Sequence, residues 1–214
     1  MTKKERAGKI AKVLKPLYGG AVTPLRHGNP FQLLVAVILS AQCTDERVNL
    51  VTPALFKKYP APKDFVAAPL GEIEKLIHST GFYRSKALAI KKTSETIMEK
   101  FGGRVPATMA ELLTLRGVAR KTANVVLSEA FGLTEGFVVD THVKRLAFRM
   151  GLTRNTDPVK IERDMMALLD RKDWRWFSLA LVLHGRAACS ARKPDCGHCQ
   201  VSKICPKTGV AADV

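Results

Sequence analysis

Three groups of residues in this chain have the types and spacing to do chemistry. Cys189, Cys196, Cys199 and Cys205 follow the pattern C-x6-C-x2-C-x5-C. Thiols crowded this closely, in a chain expected to sit in a reducing compartment, read as one metal centre rather than as disulfides. Spacing alone admits both zinc and an iron–sulfur cluster. The first gap is long for a zinc ribbon, and its loop carries Arg192 and Lys193, two cations suited to holding a phosphate. Lys121 is the second feature. It falls in the first turn of a helix behind a tight turn, where free backbone N–H groups gather. A lysine there can grip a phosphate, attack an electrophile, or do both. The third is Asp140, 19 residues further on. A carboxylate can stabilise positive charge developing on an attacked carbon and can carry a proton. Its plainer role is that of a helix N-cap, worth about 1 kcal/mol.

The elements that must position these groups are helical. Residues 108–131 read T-M-A-E-L-L-T-L-R-G-V-A-R-K-T-A-N-V-V-L-S-E-A-F, as helix, tight turn, helix. Thr108 and Glu111 have the spacing of a capping box. Gly117 breaks the first helix and Arg120 starts the second. In that second helix Ala123, Val126, Leu127, Ala130 and Phe131 recur on one face. Asp140 opens a helix carrying Val143, Leu146, Ala147 and Met150 and ending at Gly151. The cysteine loop follows a helix expected to open at Asp173 and run to Gly185.

Earlier in the chain, residues 5–17 form an amphipathic helix whose remaining positions are rich in lysine. Asn29-Pro30 starts an apolar helix over 31–42, at whose end the polar run Ser40 to Asp45 begins. Asp45 is expected to cap the next helix, with Pro53 inside it. A helix over 70–79 closes at Gly81, Phe82-Tyr83-Arg84 reads as a loop, and Ser85 starts a helix over 86–101. No period-2 strand and no internal repeat is visible. The chain reads as all-α, with about ten helices.

The 35 Lys and Arg against 19 Asp and Glu leave a net charge of +16, which favours an anionic partner, nucleic acid before a membrane surface. Hydrophobic content of 46% suits a core that needs no disulfides. Residues 1–15 are basic without a continuous apolar core, and the longest apolar run, Leu33 to Leu39, is too short to cross a bilayer. A soluble cytoplasmic protein without a membrane partner is expected.

The motifs L-R-G-V-A-R-K-T-A-N-V-V and V-V-D-T-H-V-K-R, with the four-cysteine tail, resemble those of the endonuclease III family. These are helix-hairpin-helix DNA glycosylases with a [4Fe–4S] cluster. Further matching stretches are L-L-V-A-V-I-L-S-A-Q-C-T-D, L-V-L-H-G-R and A-R-K-P, so the resemblance runs from about residue 10 to residue 207. It implies two all-helical lobes with the active cleft between them. Residues 23–133 would form a six-helix barrel carrying the hairpin, 108–131. Residues 1–22 and 134–214 would form a lobe around the cluster, held by the loop 189–205.

The resemblance also implies a function. The protein would be a bifunctional DNA glycosylase and abasic-site lyase of base excision repair, a bacterial, nucleoid-associated monomer. It would remove oxidised pyrimidines from duplex DNA containing a damaged base or an abasic site. Lys121 matches the family's catalytic amine, which forms a Schiff base and cuts the strand by β-elimination. Asp140 matches the supporting aspartate, and the four cysteines match the cluster ligands. Gln42 matches the residue that fills the gap opposite the extruded base, and Phe82 an apolar wedge that is often Leu. Base flipping is forced, because C1′ of a stacked nucleotide cannot be reached. Arg116, Gly117, Ala119 and Arg120 would meet DNA at the hairpin, and Arg192 and Lys193 at the cluster loop.

Two hairpin positions depart from the family's usual L-P-G-V-G: Arg116 stands for Pro and Ala119 for the second Gly. An alanine at a positive-φ position would cost more than glycine. The alternative function is a non-catalytic iron–sulfur protein that binds DNA or senses redox state, with Lys121 only a phosphate contact.

Overall fold

A computed structural model describes residues 1–211. Among the described residues there are eleven α-helices and no strand: α1 (Lys3–Tyr18), α2 (Pro30–Leu39), α3 (Asp45–Lys58), α4 (Pro62–Ala67), α5 (Leu70–Ile77), α6 (Tyr83–Phe101), α7 (Met109–Leu112), α8 (Arg120–Ala130), α9 (Thr141–Arg149), α10 (Pro158–Leu168) and α11 (Arg171–Ala187). A 3₁₀ turn, His78–Thr80, follows α5. The fold is all-α, and no helix is long and apolar enough to cross a membrane.

The chain divides into two compact units. One is Thr23–Leu133, and the other combines Met1–Val22 with Thr134–Val214. In the first unit α2 is the centre. Every residue from Leu33 to Leu39 is buried, as an apolar-all-round helix must be. It packs against α3, α6 and α8, while α6 also packs on α4 and α5. In the second unit α11 packs on α1 and α9. Its core gathers Ile10, Leu14, Phe137, Leu146, Phe177 and Leu181.

Four boundaries differ from the sequence reading. The apolar helix stops at Leu39, not residue 42, because Gln42 turns into the left-handed region at φ 53°. The next helix is capped by Thr44, whose hydroxyl accepts the Arg47 N–H at 3.2 Å, and Asp45 is its first residue. It runs on through Pro53 to Lys58. Residues 83 and 84 are the first turn of α6 rather than a loop. The Phe82 carbonyl starts it, accepting the Lys86 N–H at 3.1 Å and the Ser85 hydroxyl at 2.9 Å. Finally, α11 starts at Arg171. Asp173 lies inside its first turn, and its carboxylate accepts the Trp176 indole N–H at 2.7 Å instead of capping backbone.

Candidate active site and cysteine centre

The hairpin is built on α7, one turn of helix. Thr108 caps it, accepting the Glu111 N–H at 3.3 Å while its hydroxyl donates to the Glu111 carboxylate at 2.6 Å. The turn itself needs Gly117, which sits at φ 79°. A Cβ there would come within 3.0 Å of the Ala89 Cβ on α6. Ala119 is the N-cap of α8 with extended backbone, φ −91° and ψ 171°. An alanine at this position therefore carries no left-handed strain.

Ala119 offers no side-chain oxygen to cap the first turn of α8. Lys121 stands in that first turn and is exposed, as are Arg116, Gly117, Ala119 and Arg120. A helix N-terminus with three nearby cations has the electrostatics to attract an anion. Behind it, the buried Thr93 hydroxyl on α6 donates to the Arg116 carbonyl at 2.7 Å, which fixes the turn.

Two other loops of the same unit carry Gln42 and Phe82. Both side chains are exposed, Phe82 to 64%. The backbone is left-handed at both, φ 53° at Gln42 and φ 47° at Phe82. Lys207, beside Cys205, is the third such non-glycine among the described residues. A non-glycine residue held in this region costs about 1–3 kcal/mol and persists only where its surroundings enforce it.

Asp140 is the N-cap of α9. Its Oδ1 accepts the Val143 N–H at 2.8 Å, and the residue is half-buried. Further along the same helix, Arg145 and Arg149 reach the cysteine loop. Arg145 donates to the Cys189 carbonyl from Nε at 3.1 Å and from Nη2 at 2.9 Å. The buried Arg149 donates to the carbonyls of Ser190 at 2.7 Å and Ala191 at 2.8 Å, and to the Cys189 Sγ at 3.3 Å. Gly185 on α11 lets the helices come this close, since a Cβ there would lie 2.9 Å from His142 Nδ1.

Cys189, Cys196, Cys199 and Cys205 line one cavity, with Met150, Pro194, Val201 and Val210 in its wall. Cys43 belongs to the other unit and is half-buried against its core. Three of the four sulfurs meet nitrogens: Cys189 accepts from Arg149, Cys205 accepts the Lys207 backbone N–H at 3.4 Å, and Cys199 lies 3.3 Å from His184 Nε2. Burial pushes the Cys199 and Cys205 thiols up, so a cationic centre is needed to hold them as thiolates. Among the described residues no three His, Cys, Asp or Glu side chains converge closely enough for a single ion. Four sulfurs around a common apolar-walled space, with N–H donors aimed at them, suit a larger multi-iron body. Arg192 and Lys193 are exposed on the loop between the first two cysteines.

Lys86, Thr93, Arg145 and Arg149 were not legible as site residues. Each donates to a main-chain carbonyl of another element. Only the spacing of two arginines on the inner side of α9 hints at such a role.

The family model for HhH-GPD superfamily base excision DNA repair proteins matches residues 35–171. The chain is 58% identical to endonuclease III of a Synechocystis species over 205 residues, 96% of this chain and 94% of that protein. To endonuclease III of Bacillus subtilis it is 46% identical over 190 residues, 88% and 86% of the two chains. Its fold matches a trapped endonuclease III–DNA covalent intermediate with TM-score 0.92, 40% identity and 97% of each chain covered. The chain belongs to the endonuclease III family.

Proposed function

We propose that this protein is a bifunctional DNA glycosylase and abasic-site lyase of base excision repair, acting on oxidised pyrimidines in duplex DNA. The observation that carries the reading is the exposed Lys121 amine in the first turn of α8, directly behind the Gly117 turn. It is supported by the likeness to a protein trapped covalently on DNA. The Lys121 Nζ attacks C1′ of the damaged nucleotide, and the C1′–N bond breaks with its electron pair leaving on the base. The amine loses its proton as the C1′–O4′ bond opens, which leaves a C=N bond to the sugar. Loss of a C2′ proton then expels the 3′ phosphate oxygen and cuts the strand. Asp140 stabilises positive charge on the sugar and moves protons.

Gln42 and Phe82 hold the duplex open once the base is extruded. The hairpin residues Arg116, Gly117, Ala119 and Arg120 bind phosphate, as do Arg192 and Lys193. Cys189, Cys196, Cys199 and Cys205 would hold a [4Fe–4S] cluster, which when bound cross-links the loop that presents those last two cations. The protein works on DNA in the bacterial cytoplasm as a monomer.

Borohydride trapping on a panel of lesion-bearing duplexes tests the reading. A covalent adduct with wild type that is absent with Lys121→Ala is expected. DNA binding without any adduct would leave the non-catalytic alternative standing.

A further inference from the structure

The side chain of Lys86 is almost fully buried, with 5% of the residue exposed. A lysine in that position demands a reason, because burying an ammonium is unfavourable unless oxygens surround it. Lys86 Nζ donates to two main-chain carbonyls, Leu39 at 2.8 Å and Thr80 at 2.8 Å. Leu39 is the last residue of α2, three positions before Gln42. Thr80 ends the 3₁₀ turn, two positions before Phe82. One ammonium thus ties together the roots of two loops far apart in sequence. These loops carry two of the three left-handed non-glycine residues among the described residues. Such backbone is kept only where its surroundings over-determine it. The Thr80 hydroxyl, itself buried, closes the second root by donating to the Ile77 carbonyl at 2.8 Å.

We infer that Lys86 is a positioning residue for base extrusion, whose bonds to the Leu39 and Thr80 carbonyls fix the spacing at which Gln42 and Phe82 enter an opened duplex. The inference rests on the function proposed above and adds a residue to it. The Lys86 amine is buried on two main-chain carbonyls, away from the surface that would meet DNA. It acts through the distance between two loops, and its loss should be felt where Gln42 and Phe82 work rather than in general DNA affinity.

The test is a double-mutant cycle on the intact protein. The substrate is a duplex bearing a tetrahydrofuran abasic-site analogue opposite 2-aminopurine, whose fluorescence reports unstacking of the facing base. Wild type should raise the fluorescence on binding. Lys86→Met keeps the length of the side chain and removes its donors. It should lower the fraction of complexes in the unstacked state about tenfold, the size of one hydrogen bond to a charged group. Lys86→Met combined with Phe82→Ala should fall no further than the weaker single variant. Affinity for undamaged duplex and its salt dependence should not change.

Additive losses, or an unchanged fluorescence rise in Lys86→Met, would overturn the inference. If Lys86→Met does not fold, Lys86→Arg takes its place in the cycle with the same two outcomes, because it keeps donors but alters their spacing. Wild-type trapping without any fluorescence rise would sink this inference alone. Absence of wild-type trapping would sink the proposed function instead.

Discussion

The Oδ1 of Asp140 accepts the Val143 N–H at 2.8 Å, so the carboxylate assigned to chemistry is also the cap of α9. The two roles separate in Asp140→Asn. Asparagine caps as well as aspartate, and stability should change by no more than about 0.5 kcal/mol. The charge proposed to support the sugar is lost, and single-turnover base release should fall about 100-fold or more. Thermal melts alongside single-turnover assays check both parts; an equal loss in stability and activity would reduce Asp140 to a cap.

Glycine is required at one hairpin position and optional at the other. Gly117→Ala places a Cβ 3.0 Å from Ala89 at a φ of 79°, and should destabilise the protein by about 1–3 kcal/mol. Ala119→Gly meets extended backbone and should cost no more than about 1 kcal/mol, through the unfolded chain. If the methyl of Ala119 sets the approach of a phosphate, Ala119→Gly alters DNA affinity or its salt slope. Titrations at several salt concentrations decide this, against the steep dependence that a net charge of +16 predicts.

Arg149→Met should release the cysteine loop. It removes three hydrogen bonds to residues 189–191 while filling similar space, at a cost of about 3 kcal/mol or more. The expected result is an iron content below the roughly four per chain of a [4Fe–4S] protein, with faster bleaching of its yellow-brown colour. Full iron retention in this variant would show that the cysteines hold the loop without α9.

Removing the metal from wild type should expose the same segment. Three of the four cysteines pack against the core of their unit, so loss of the cross-link frees residues 189–205 to open. Limited proteolysis before and after iron chelation should show new cuts there, with Thr23–Leu133 still protected.

Burial holds the Lys86 amine below the ordinary lysine value of 10.5, and the neighbouring Cys43 thiol opposes this only in part. Between the lowered folded value and the unfolded one, the unfolded chain binds a proton that the folded chain has shed. Stability from this group therefore rises with pH across that window and is lowest below it. Wild type should gain on Lys86→Met as chemical denaturation is repeated from neutral pH towards 10.5. A constant difference between the two proteins would contradict the burial.

Much of this arrangement is legible in the sequence, for local reasons. Gly117 punctuates a helical period, Asp140 precedes an apolar stripe, and the cysteine spacing stands out against any background. Other parts depend on contacts that no window contains. A lysine in the first turn of a helical pattern reads as solvated surface, and nothing near Lys86 signals that a carbonyl 47 residues earlier is its partner. Tyr83 and Arg84 read as loop because neither propensity nor spacing marks the aromatic residue before them as a left-handed N-cap. Asp173 has the look of a cap in sequence, and the Trp176 indole three residues on, its true partner, is not marked by any capping pattern.

The helix α6 holds its neighbours by their main chain. Lys86 binds the carbonyls of Leu39 and Thr80, Lys91 those of Val66 and Ala68, and Thr93 that of Arg116. Every amino acid supplies a carbonyl, so this anchorage is blind to what the loops display. Side chains at the tips can be exchanged, as a phenylalanine or an arginine for some other residue, without moving the platform beneath them. Substitution at the tips thus leaves the platform in place, while a change on the inner face of α6 would loosen the anchors at Leu39, Thr80, Val66, Ala68 and Arg116 together.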